Sequence, residues 1–297
     1  MRSRHGITGI GMSVVLVSAL LLLGHPAPSL GQPGTNPRND CRAIEDAAIL
    51  ATARSTTPSL THFPVFVHYM KHRSEGSGPD SAASGVFPLS KLKGFFTEDG
   101  DFNRVWWKKH RQVMFVLVGV ETCTYALGGV DQVPVASTPL MRRLGKAFNV
   151  REVELASGRQ PFRGLDLYLW PGITGSAGQV AGFARSAAAM KHPSIWLAPD
   201  CEQRGGSICA SKFGHEVGHF FGLCHLCALD PAANPERNPG TCRQTCPPEG
   251  RAGTRLRGCE DPDAPKLMAD QDGIGLEPCE VTFAVGNAKK ILTPAVH

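Results

Sequence analysis

The sequence predicts an α+β fold, with a mixed five-stranded sheet, helices packed on it, and a smaller disulfide-rich C-terminal part. Three observations carry this. Five short β-prone runs lie before residue 200, two of them flanking a helical pattern. An amphipathic helix follows, with Phe213, Val217 and Phe220 on one stripe. Beyond residue 225 the periodicity fades into a stretch rich in proline and cysteine, which reads as a loop pinned by cross-links.

Taken in order, residues 1–31 have the three parts of a secretory signal: Arg2 and Arg4, an apolar run from Val14 to Leu23, and small residues at Ser29 and Gly31 before Gln32. The expected product is exported and keeps no stable membrane association, the alternative being an uncleaved anchor. Removing this segment leaves 266 residues and lowers the formal charge from +5 to +3. That is too little to argue for nucleic acid, and Trp107 to Arg111 reads as the solvated end of a helix.

Residues 32–62 form an expected N-terminal extension, with a helix from Asp40 to Arg54 capped by Asp40. The main unit is expected over residues 63–225. It opens with a strand at Pro64 to Tyr69, a Ser- and Gly-rich loop over residues 73–85, a helix at Asp101 to His110 and a strand at Val113 to Val120. A helix at Pro139 to Phe148 comes next, then strands at Leu165 to Trp170, Gln179 to Ala184 and Ser194 to Leu197. Residues 226–297 form the C-terminal part, closing with a helical stretch from Cys279 to Leu292.

All ten cysteines follow residue 31, an even number that implies disulfides in an exported chain. Cys201 and Cys209 flank a turn-prone loop that they are placed to close. Cys224, Cys227, Cys242, Cys246 and Cys259 crowd one segment, where disulfides are expected and a structural zinc on the first four is the alternative.

Residues 215–225 read HExxHxxGxxH. His215 and His219, four apart, share one helix face about 6 Å apart along the axis, close enough to chelate a single ion. Gly222 can take the positive φ that ends a helix and lets His225 return as a third ligand. Three protein ligands leave one zinc position open, where a bound water falls to a pKa of about 7. Glu216, roughly 100° round the helix from His215, sits beside such a metal and can act as general base. A chance match on an amphipathic helix is the alternative.

This motif resembles that of the metzincins, zinc endopeptidases whose third histidine is followed by a methionine-bearing turn. Lys266-Leu267-Met268-Ala269-Asp270, with Met268 43 residues past His225, is similar to that turn. The resemblance implies a twisted five-stranded sheet above a zinc cleft, one catalytic Zn2+ on His215, His219 and His225, Glu216 as catalytic base, and Met268 as a hydrophobic floor. It also implies that Gly178 to Arg185 is an antiparallel edge strand pairing with protein or peptide substrates. The Pro- and Cys-rich insert and Cys259 to Asp263 resemble the pappalysin-like branch. The chain departs from the clan's best-known branches at Leu226, directly after His225. It has no tyrosine beyond Met268 to assist the metal, and no PRCG switch, which leaves Cys41 as an alternative latent ligand to an ordinary disulfide.

The function expected from these residues is a secreted zinc-dependent endopeptidase. A secreted non-catalytic zinc-containing binding module and a zinc amidase acting on small peptides stand as alternatives. Cleavage specificity and oligomeric state do not follow from the sequence.

Overall fold

A computed structural model describes residues 41–72, 87–125, 133–134, 152–170, 173–175, 178–179, 182–185, 194–198, 206–223, 275–276 and 278–293. The expected signal segment, His225, Met268, the Cys-rich insert and the helix expected at residues 139–148 lie outside these residues.

The architecture is α+β, built on a mixed sheet. β1 (Cys41–Ala43), β3 (Phe115–Tyr125), β2 (Phe63–His72), β7 (Leu165–Leu169), β11 (Ser194–Leu197) and β10 (Gly182–Arg185) stand side by side in that order. The four inner strands run parallel and both edge strands run antiparallel to their neighbours. The sheet therefore has six strands and not the expected five. The sixth is β1, in a segment predicted to be helical from Asp40. Cys41 pairs in register with Cys123 and is bonded to it, S–S 2.10 Å, so this stretch extends along the sheet edge. Helix α1 (Ala47–Ser55) starts later, where the Asp46 carboxylate accepts the Ala48 and Ile49 amides at 3.0 and 3.1 Å. The disulfide agrees with the reading of Cys41 as an ordinary cross-link.

Alternation along the strands sorts residues between two faces. Val65 and Val67 of β2, Leu165, Leu167 and Leu169 of β7, and Ile195 and Leu197 of β11 join the main core. That core also takes Phe213, Val217 and Phe220 of the motif helix, α3 (Gly206–Phe220), the expected stripe, each fully buried. Helix α4 (Pro278–Leu292) contributes Ala284 and Ala288 and donates Asn287 Nδ2–H to the Phe221 carbonyl. On the other face, Phe66, Val116 and Val118 pack with Val153 and Leu155 of β5 (Glu152–Leu155), which forms a hairpin with β6 (Gly158–Pro161). The hairpin was not expected, although Glu152 to Leu155 alternates polar and apolar residues and buries Val153 and Leu155.

Two further elements differ from expectation. The helix at residues 101–110 is a 3-10 turn, Asp101–Asn103, running into a π-helical segment, Arg104–Lys109. Asn103 accounts for the break. Its two Nδ2 hydrogens are shared among the carbonyls of Phe96, Thr97 and Phe115, and its Oδ1 accepts the Phe115 amide at 2.7 Å, a buried lock at the junction. The strand expected at Gly178 to Arg185 is divided. β9 (Gly178–Gln179) pairs with β8 (Ile173–Gly175), itself beside β4 (Val133–Pro134), and only β10 joins the main sheet. A short helix, α2 (Leu89–Phe95), precedes the 3-10 turn. No helix among the described residues is long and apolar enough to cross a membrane.

Candidate metal centre

Helix α3 is held so that its polar face cannot roll. Phe102 stacks on Phe213 with ring centroids 4.2 Å apart, and Trp106 Nε1–H donates to the Gly214 carbonyl at 3.0 Å. Gly214 is needed for this approach, since a Cβ there would lie 2.8 Å from Val105 Cγ2. With Phe213, Val217 and Phe220 fixed in the core, His215 and His219 are left half-buried on the other side.

The helix ends in a Schellman motif. Gly222 adopts φ +90°, its amide bonds the His219 carbonyl at 2.9 Å, and the Leu223 amide bonds the Gly218 carbonyl at 2.8 Å. This turn also orients a histidine. His219 Nδ1 lies 2.8 Å from the Leu223 carbonyl oxygen, which can only accept, so Nδ1 carries the hydrogen. In the neutral ring Nε2 then keeps its lone pair, the arrangement typical of a ligating histidine with a backbone partner behind it. Nε2 of His219 lies 3.1 Å from Nε2 of His215. Two nitrogens of a tetrahedral zinc site, each about 2.0–2.1 Å from the ion, are separated by about 3.3–3.4 Å. The 3.1 Å separation is close to that spacing, and it is also the distance of a hydrogen bond in which His215 Nε2–H donates to the His219 Nε2 lone pair.

Glu216 is 6% exposed, and its Oε2 has no hydrogen-bond partner among the described residues. Lost solvation pushes its carboxyl up to about 8, with Lys212 one turn earlier pulling the other way. A divalent cation beside it would pull it down as well. Strand β10 covers this side chain, since a Cβ placed on Gly182 would be 3.3 Å from Glu216 Cγ. The structure thus brings together His215, Glu216 and His219 of the expected site. His225 and Met268 lie outside the described residues.

A second polar cluster sits on the opposite face of the sheet. His68, fully buried, places Nδ1 2.8 Å from Glu121 Oε1 and Nε2 2.9 Å from Asp166 Oδ1. Carboxylates only accept, so both contacts require one proton beyond those of a neutral ring, held in the cluster. The imidazole stacks on Tyr168 at 4.4 Å, and Tyr168 stacks on Trp196 at 4.8 Å. Sequence reasoning did not single these residues out. Strand alternation placed His68 with Phe66 and Asp166 with Tyr168, but only the β2–β7 and β2–β3 registers bring them together.

Cys41, Glu121 and Cys123 gather three donor atoms within 4.8 Å of one another, a set that could hold a metal ion. Two of the donors are the bonded sulfurs of the disulfide, and the third already faces His68. While the cross-link stands, this group offers a metal one carboxylate.

No protein-family profile matches the chain, and no curated protein matches it.

Proposed function

We propose that the chain is an exported zinc-dependent endopeptidase of the metzincin type. One observation carries the reading: the Nε2 atoms of His215 and His219 converge to 3.1 Å on the helix that also holds Glu216, whose buried Oε2 has no hydrogen-bond partner among the described residues. Holding a carboxyl out of water without a partner is costly, and sites tolerate that where the group has work to do. His215 and His219 would hold the ion with His225 as third ligand. A zinc ion there supplies a Lewis acid that makes water a usable nucleophile near neutral pH. Glu216 would take the proton from the attacking water and pass it to the leaving amine, its buried setting keeping bulk water from competing. Antiparallel β10, the last strand of the sheet among the described residues, would align an extended peptide through backbone hydrogen bonds. The Cys41–Cys123 disulfide suits an oxidising compartment.

Digestion of a broad peptide library by zinc-loaded protein, read by mass spectrometry, tests this. Internal cleavage that stops with a chelator and returns with zinc is expected. Cleavage confined to small amides would favour an amidase, and none at all would favour a binding module.

A further inference from the structure

We propose that Gly182 is a positioning residue for Glu216, its missing side chain setting how closely β10 approaches the motif helix. Gly182 pairs with Leu197 at the sheet edge and faces α3. A Cβ at this position would meet Leu197 Cδ2 at 2.7 Å, the Trp196 carbonyl oxygen at 3.0 Å and Glu216 Cγ at 3.3 Å. The leucine methyl can turn away. The Trp196 carbonyl belongs to the sheet backbone and cannot, so a methyl group on residue 182 either lifts β10 or pushes on the stem of Glu216. The second move shifts the carboxylate relative to the Nε2 atoms of His215 and His219, and the first opens the wall that covers it to water. His219 is held separately, from the far end of the helix, by the Leu223 carbonyl and the Schellman turn.

This inference rests on the proposed hydrolytic function, and its test separates the two. Gly182→Ala, loaded with zinc, is compared with wild type for metal content, kcat and KM on a peptide that the wild type cleaves. Displacing a reacting group by about 1 Å can cost on the order of 100-fold, so kcat should fall at least tenfold, with one zinc retained and KM changed less than kcat. Adding Leu197→Ala clears the closest contact and should not restore kcat, and this double variant serves as the comparison if Gly182→Ala alone does not fold. A readout without turnover comes from metal-free protein. The drop in thermal midpoint caused by Gly182→Ala should shrink in a Glu216→Ala background, because the two side chains compete for one space.

Wild-type rates in folded, zinc-loaded Gly182→Ala would overturn the positioning role and leave the enzyme intact. So would rescue by Leu197→Ala, or additive thermal shifts. Failure of zinc-loaded wild type to cleave any peptide would instead overturn the proposed function, and the positioning role with it.

Discussion

Two buried acidic settings in this molecule are built on opposite rules. Glu121 and Asp166, on the outer face of the sheet, each have a ring nitrogen of His68 within 2.9 Å. Glu216, on the motif helix, has a buried oxygen with no hydrogen-bond partner among the described residues. The first arrangement compensates its charges and joins three strands. The second leaves a desolvation penalty standing in the middle of an otherwise well-packed helix. Burial of an acid is therefore not itself a sign of function. Burial without compensation, beside two converging imidazoles, is the informative case.

The largest effect that sharpens this contrast is expected from His68→Leu. It removes the group between a buried Asp166 carboxylate and a partly buried Glu121, and breaking a buried arrangement costs up to about 3–5 kcal/mol. Chemical denaturation should show a loss of that size with the zinc content unchanged. A loss well under 1 kcal/mol would mean that the cluster is neutralised by other means, and the contrast with Glu216 would weaken.

A smaller effect of distinctive pH dependence is expected at Glu216 in metal-free protein. Its folded carboxyl is raised from 4.5 to about 8, so folding takes up a proton. The stability this group contributes is full below about pH 4.5 and is lost as pH rises toward 8. At pH 7 the loss reaches about 3 kcal/mol, from about 1.4 kcal/mol per pH unit. Glu216→Gln should flatten this slope, measured as urea midpoints of metal-free protein between pH 5 and pH 8. Parallel pH profiles for mutant and wild type would show that Glu216 is solvated or paired in solution.

The same contrast explains what the sequence made legible. His215, Glu216 and His219 lie within five residues on one helix, so helical periodicity alone determines their relation. Gly222 at φ +90° was readable for the same reason, as a local stop signal. Glu121 and Asp166 lie 53 and 98 residues from His68, and only the strand order joins them. Alternation gives the face of each strand but not its neighbour. The Asp40 helix failed because a cross-strand disulfide overrode local propensity, whereas the Asp46 cap was a local signal passed over for one six residues earlier. Division of the 178–185 strand between two sheets has no local signature that we can identify.

The most direct test of the central claim, that α3 carries a hydrolytic metal site with Glu216 as its base, is paired measurement of zinc content and turnover in Glu216→Gln. Glutamine keeps the volume and can still hydrogen-bond water, but cannot accept a proton at neutral pH. The account predicts about one zinc per chain, as in wild type, with turnover lower by roughly 10²- to 10⁴-fold. Turnover equal to wild type at equal zinc content would contradict it.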